Sequence, residues 1–295
     1  MKRILTVQDI SCVGKCSLTV ALPIISAFGV ETAVLPTAVL SNHTAFKGWT
    51  FRDLTDDITP IKERWIKENI NFDAIYTGYL GSQKQIDLVL DLFKTFSGDK
   101  RFSDNNTYSE NNTFSGNNTF TLVDPAMADN GKLYSGFDLE FANKMKDLCS
   151  YADYIVPNLT EASLLLGEEY VSEGYTEEYV QSTLKKLVAL GCKRAILTGI
   201  SLEKGKLGAY AYDGELDKFY QYYSEKIPVN FHGTGDVFAS AICGSLSIGK
   251  SLEHSIKIAV DFTVESIKKT IEDENGRWYG VNFESAFPLL LEIIK

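Results

Sequence analysis

The sequence predicts an α/β protein in three layers, a mostly parallel central sheet with helices on both faces. Short apolar runs alternate with longer segments of helical spacing along most of the chain. The runs mostly end in polar or turn residues, and one late segment switches to strict period-two alternation. Strands that alternate with helices lie parallel, with the crossovers covering both faces of the sheet. Functional groups then belong beyond the carboxyl ends of the strands.

In chain order, "RILTVQ" (3–8) reads as the first strand and "SLTVALPIISAF" (17–28) as a helix of mixed quality. "TAVLP" (32–36) is a second strand, "IKERWIKENI" (61–70) an amphipathic helix, and "DAIYTG" (73–78) a buried strand ending in glycine. "KQIDLVLDLFKTF" (84–96) carries apolar residues at helical spacing. "TLVDP", "YIVPN" and "RAILTG" are further strands, and "EYVQSTLKKLVALG" is a helix that Gly191 closes as a C-cap. "LGAYAYDGELDKFYQYY" (207–223) alternates around Asp213-Gly214, the pattern of a hairpin near the sheet edge.

A length of 295 residues suffices for a sizeable core, and 44% hydrophobic with 23% charged residues is ordinary for a soluble globular chain. The formal charge of −10 leaves no basic footprint for nucleic acid or anionic lipid, though a local site can still oppose that field for an anionic substrate. "MKRILTVQDI" lacks a long apolar core and cleavage site, and no stretch approaches a membrane span, so the expected location is the cytoplasm. The five cysteines, Cys12, Cys16, Cys149, Cys192 and Cys243, are odd in number and scattered. They are expected as small, buried, reduced thiols, since Cys12 and Cys16 lack a second pair of ligands for a metal.

"NNTYSENNTFSGNNTF" (105–120) departs from the pattern. This imperfect six-residue repeat, rich in Asn, Thr and Ser, has too few apolar groups to build a core. It reads as an expanded surface loop inserted at about 97–119.

The strongest chemical signal is "VNFHGTGDVFASAI" (229–242), where Gly233, Thr234 and Gly235 precede Asp236 at the start of a small-residue helix. Glycines let a backbone approach a ligand, and the first amides of a helix have no internal partners. Together with the helix dipole they suit a phosphoryl group. An acid there would repel that anion unless it had its own task, such as taking a proton from an attacking hydroxyl. The plainer alternative is a turn followed by an N-cap acid.

"HGTGDVFAS" resembles the anion-hole signature of the ribokinase-like superfamily. "SNHT" (41–44) with Trp49, "TGYLGS" (77–82), "DPAMADNGKLY" (124–134) and "PNLTEASLL" (157–165) resemble the signatures of pyridoxal kinases within it, in the family's order. The resemblance covers nearly the whole chain and implies one ribokinase-like kinase domain over 1–295, ATP as donor and a B6 vitamer as acceptor. It implies Asp236 as base, with Gly233, Thr234 and Gly235 presenting amides to the transferred phosphoryl. Asp124, Asn158 and Glu161 would stand near the Mg-ATP phosphates, Asp124 and Glu161 beside the Mg²⁺, and Thr198 would contact ATP phosphate. Thr44 and Tyr79 would line the ring pocket, with Asp9 and Ser11 also on the substrate side, and "ADNGKLY" would be a flexible cover over the nucleotide hinged at Gly131. A monovalent cation such as K⁺ and a homodimer complete what the resemblance implies.

Each residue also has a bland reading. Asp124-Pro125 could stop a strand, Asn158 and Glu161 could start a helix as cap and capping acid, and Tyr79 could be core. His43 has no carboxylate nearby in sequence, which favours a turn or pocket-wall role over acid–base work.

The first strand departs from the family pattern, because Gln8 is followed by Asp9 where pyridoxal kinases usually place a serine; here serine appears at Ser11. Such "QDISCVG" openings resemble a Gram-positive-type branch described as pyridoxamine kinases, and hydroxymethylpyrimidine kinases also carry an early acid. A hydroxymethylpyrimidine or sugar kinase and a non-catalytic vitamer- or nucleotide-binding regulator therefore remain alternatives. A regulator would have no need of a base at Asp236. A dinucleotide oxidoreductase is disfavoured, since no Gly-x-Gly-x-x-Gly follows the first strand.

Overall fold

A computed structural model describes residues 1–98, 101, 119–229 and 231–295. Most of the Asn-rich insertion expected at about 97–119 lies outside the described residues.

Among the described residues, nine strands form one sheet in the order β11-β10-β9-β8-β5-β4-β1-β2-β3. The six-strand centre is parallel: β1 (Arg3–Ser11), β2 (Glu31–Leu40), β4 (Ala74–Thr77), β5 (Phe120–Val123), β8 (Tyr154–Ile155) and β9 (Arg194–Ile200). Both edges are antiparallel: β3 (Phe51–Asp53) on one side, β10 (Lys206–Asp213) with β11 (Lys218–Glu225) on the other. The hairpin turns at 214–217, as the period-two pattern predicts.

Two buried clusters cover the two faces. Helices α2 (Thr55–Lys67), α3 (Gln83–Phe96), α4 (Leu139–Ser150), α5 (Leu159–Leu166) and α6 (Glu177–Ala189) pack on one face over Leu5, Val7, Ile75 and Val123. On the other, α1 (Leu18–Ala27), α7 (Thr234–Ser247), α8 (Leu252–Glu272) and α9 (Phe283–Ile293) cover Ile4, Tyr76 and Leu122. Successive strand residues thus feed opposite cores, which is why these strands read as unbroken apolar runs. The three-layer class stands as expected.

Several boundaries differ from the sequence reading. β2 runs on to Leu40 through Pro36, whose missing amide is tolerated because β3 pairs only with Ala38–Leu40. α2 begins at Thr55, six residues early, where Asp53 accepts the Thr55 amide at 2.7 Å. Within "ADNGKLY" the chain forms a tight hairpin, β6 (Ala128–Asp129) and β7 (Lys132–Leu133). Asn130 and Gly131 both take positive φ (51° and 76°) at its turn, the requirement of the tight hairpin turns that match strand twist.

Two features position the site. The chain passes from β2 across β1 to β4, so the strand order reverses there and opens a crevice beyond the carboxyl ends of β1 and β4. The β1–β2 register also slips, with Gln8 opposite Pro36 but Ile10 opposite Val39. The irregularity falls at Asp9, and such bulges re-aim side chains next to functional sites.

Candidate active site

The Gly-Thr-Gly loop meets its steric demands differently at each glycine. Gly233 holds φ 78°, a left-handed conformation, and a Cβ there would overlap the Lys15 carbonyl oxygen. Gly235 has open space where its Cβ would stand. Among the described residues no side chain caps α7, so its first-turn amides have no side-chain acceptor. Behind them Val237 to Ser245 are buried, which anchors the helix firmly against the sheet. Thr234 leans its hydroxyl toward the Phe231 carbonyl at 3.4 Å.

Asp236, in that first turn, keeps partial contact with solvent. Its carboxyl is nevertheless pushed up to about 8, first by its dense surroundings, then by the Asp124 and Asp9 charges, against a stabilising backbone amide from Ser17. A carboxyl poised near neutrality is the property a general base needs. It is also what a crowd of acids awaiting a cation would show.

Asp124 and Glu161 form the second acidic group. The Asp124 carboxyl accepts the Ala126 amide at 3.2 Å and is held well above the usual carboxylate range by burial and by Glu161. Glu161 accepts the amides of Met127 (3.1 Å) and Asn158 (2.9 Å), yet burial still pushes it up to about 7. Asn158 returns a bond from the Glu161 amide at 2.9 Å, closing a capping box at the head of α5. The structural reading of both strings is therefore correct, and it leaves the acids facing one another. Asn158 also donates to the Ala128 carbonyl, and Gly131 donates its amide to the Thr160 hydroxyl at 3.0 Å, so the β6–β7 hairpin is tied to α5. A Cβ at Gly131 would meet the Tyr170 ring at 2.8 Å, which makes this glycine a packing contact as well as a turn residue. Thr198, in the carboxyl-terminal half of β9, pairs with Asn158 in an isolated parallel bridge.

Among the described residues, no three His, Cys, Asp or Glu side chains gather as a metal cluster. Two buried acids that resist joint ionisation nevertheless fit a divalent cation that keeps waters and phosphate oxygens as its other ligands.

On the acceptor side, Asp9 is 5% exposed and accepts from the Ser11 hydroxyl at 3.2 Å. Burial raises its pKa above the ordinary value, against the lowering effect of the Ser17 and Ser11 hydroxyls. Tyr79 follows β4, and its hydroxyl is raised first by burial and then by the Asp9 charge, so the two lie within electrostatic reach of each other. The Tyr79 ring tilts against Phe137 at 5.5 Å, and Phe137 stacks on Phe141 at 3.9 Å, a wall the motifs do not reveal.

Thr44 is exposed on the loop after β2. The neighbouring His43 accepts the Ala45 amide on Nδ1 (3.1 Å), a turn role, and lies 5.1 Å from the His232 ring. Burial and His232 together lower its pKa, so it stays neutral at physiological pH. Of the cysteines, all free, Cys12 is exposed rather than buried, because it stands just past the end of β1.

The structure thus brings Asp236, Asp124, Glu161, Asn158 and Thr198 to the carboxyl ends of the central strands, and Asp9, Ser11 and Tyr79 to the adjoining crevice. Sequence reasoning overlooked Tyr134 and Phe137. The Tyr134 hydroxyl is raised by burial and then by the Glu161, Asp124, Asp129 and Asp236 charges, which puts it within their electrostatic reach. It sits inside a string already quoted.

The sequence model of the phosphomethylpyrimidine kinase family matches residues 106–280. A candidate phosphomethylpyrimidine kinase from Bacteroides thetaiotaomicron is 37% identical, with 98% of this chain and 93% of that chain aligned at a TM-score of 0.87. The same protein's crystal form with pyridoxal gives 0.86. Pyridoxal kinase from Lactobacillus plantarum is 27% identical over 99% of this chain and 98% of its own, with a TM-score of 0.84. Pyridoxal kinase of Dictyostelium discoideum is 24% identical over 82% of this chain and 77% of its own.

Proposed function

Because the chain belongs to the phosphomethylpyrimidine kinase family, among the pyridoxal kinases of the ribokinase-like superfamily, we propose that it phosphorylates the 5′-hydroxymethyl group of a B6 vitamer, pyridoxamine or pyridoxal, with ATP. The observation that carries this reading is Asp236, a carboxyl raised to about 8 directly behind uncapped helix amides. Asp236 takes the proton of the hydroxymethyl group as its oxygen bonds to the γ-phosphorus and the bond to ADP breaks. The amides of Gly233, Thr234 and Gly235 hold the phosphoryl oxygens through the transfer.

Asp124 and Glu161 would hold Mg²⁺, which when bound supplies positive charge against the ATP phosphates. Their mutual repulsion, relieved by a cation, supports this assignment. Asn158 and Thr198 meet beside them and would contact the phosphate tail. Tyr79 and Phe137 would flank the ring, with Asp9 and Ser11 below it and Thr44 closing from the loop. Stimulation by K⁺ over Na⁺ and a homodimer by light scattering are the further expectations.

Incubating the protein with Mg-ATP and, separately, pyridoxal, pyridoxamine, hydroxymethylpyrimidine and ribose, and measuring ADP, tests the reading. ADP should form fastest with a vitamer. Faster turnover of hydroxymethylpyrimidine would replace it with the pyrimidine kinase alternative, which the matched family's description favours. No acceptor-dependent ADP would return the chain to a binding role.

A further inference from the structure

The loop between β1 and α1 lies where three other segments meet. The Val13 carbonyl accepts the His43 amide at 2.8 Å, and a Cβ at Gly14 would stand 3.0 Å from the His43 Cβ. The Lys15 carbonyl lies against Gly233 of the anion loop, and the Lys15 stem lies against Gly280, where a Cβ would overlap it. Neither Gly14 nor Gly280 takes positive φ, so their missing side chains serve close approach rather than backbone freedom.

Lys15 is held at both of its ends. The Thr19 hydroxyl reaches the Gly14 carbonyl at 2.8 Å and the Cys16 carbonyl at 2.7 Å, which leaves the Lys15 carbonyl between them facing Gly233. At the other end the ammonium donates to Asn282 Oδ1 (2.9 Å) and Glu284 Oε2 (2.8 Å), above the Phe283 ring. Asn282 departs from its usual task there. It stands at the N-cap of α9, where asparagine is among the preferred residues, yet its side chain bonds no helix amide. It accepts from Lys15 instead, gives Nδ2 to Asp273 at 2.9 Å, and donates its own amide to the Thr270 hydroxyl at 2.7 Å. Glu284 is 53% exposed, and such an ion pair adds little stability. What these bonds do fix is the place of Lys15.

We propose that Lys15 is a positioning residue: held at its ammonium by Asn282 and Glu284, it sets its carbonyl against Gly233 and so fixes the Gly-Thr-Gly amides at the transferred phosphoryl. This rests on the anion-loop reading of those three residues. It makes the start of α9, remote in sequence, a support of the phosphoryl site.

The test measures kcat, KM and Tm on the full chain with Mg-ATP and the fastest of the four acceptors named above. Lys15→Met keeps the stem and removes the charge. It should lose about ten- to hundredfold in kcat, the order that a misplacement of about 1 Å costs, with KM for the acceptor within about twofold. Lys15→Arg should recover most of that loss. Asn282→Leu should reproduce Lys15→Met, and the two changes together should cost no more than either alone. Gly280→Ala, which pushes the same stem from the other side, should also lower kcat. If Lys15→Met does not fold, Asn282→Leu and Gly280→Ala carry the comparison. A lower Tm with wild-type kcat in these variants makes the contacts a structural clamp and overturns the proposal, as does a loss that Lys15→Arg leaves unrestored. Wild-type kcat in Gly235→Ala overturns the anion-loop reading, and the role of Lys15 with it.

Discussion

Gly233 and Lys15 touch so closely that any Cβ at position 233 would overlap the Lys15 carbonyl oxygen. Gly233 also holds φ 78°, where an L side chain is strained whatever the space. Gly235, two residues on, has open space around its missing Cβ and no positive φ. Gly233→Ala should therefore displace the anion loop, costing about 1–3 kcal/mol of stability together with most of the activity. Gly235→Ala should melt like wild type and lose activity alone, because its methyl group enters the space left for the phosphoryl. Melting and turnover of the two variants, side by side, check this contrast; similar melting of both would remove Lys15 from the account.

The raised acids make stability depend on pH with a definite sign. Asp236 is pushed from 3.8 up to about 8 and Glu161 from 4.5 to about 7. Between those limits the folded protein retains protons that the unfolded chain has released. Their contribution is full below the ordinary pKa values and is lost as pH rises through about 7 and 8. Asp236→Asn removes one such group, so its Tm should gain on wild type as pH climbs from about 5 to about 8.5. A difference in Tm that stays constant over that range would contradict the raised pKa.

The same shift predicts the kinetics. kcat/KM reports the ionisation of the free enzyme, so it should fall as pH drops below about 8. Because Asp124 supplies the largest charge effect on Asp236, a cation at Asp124 and Glu161 should draw that limb to lower pH. Titrating Mg²⁺ while recording the pH profile measures the movement, and an immobile limb would separate the two acidic groups.

Asp9 sets the expectation for substrate choice. Pyridoxamine carries an ammonium where pyridoxal carries a neutral aldehyde, and a buried carboxylate nearby favours the cation. Desolvation consumes most of such a pair, leaving a preference of about tenfold, or about 1.4 kcal/mol. The Ser11 hydroxyl already occupies part of the Asp9 carboxyl, which limits what remains for a ligand. Asp9→Ser should bring the pyridoxamine-to-pyridoxal ratio of kcat/KM toward one. The ratio cancels any loss common to both vitamers, so an unchanged ratio removes Asp9 from selection.

The architecture was legible because each central strand is buried on both faces and reads as an apolar run between helical patterns. "DAIYTG" and "RAILTG" stand where expected. The hairpin at 128–133 was missed because its strands are two residues each, too short for periodicity. In the site, motif strings located Asp236, Asp124 and Glu161, since glycine loops and caps leave marks in sequence. The Lys15 side of the contact with Gly233 left none, because it acts through a backbone carbonyl that every residue carries. Phe137 was hidden for a different reason: its packing on Tyr79 joins segments far apart in sequence.

The central claim is that Asp236 removes the proton from the acceptor hydroxyl, and single-turnover phosphoryl transfer in Asp236→Asn measures it most directly. With enzyme in excess over labelled ATP and vitamer saturating, formation of the phosphorylated vitamer isolates the chemical step from product release. The substitution keeps the side chain's size, so folding and ATP binding should match wild type. The transfer rate should fall by about 10²–10⁴, the usual worth of a positioned base. Transfer at close to the wild-type rate would contradict the account and leave Asp236 as the acid that begins a helix.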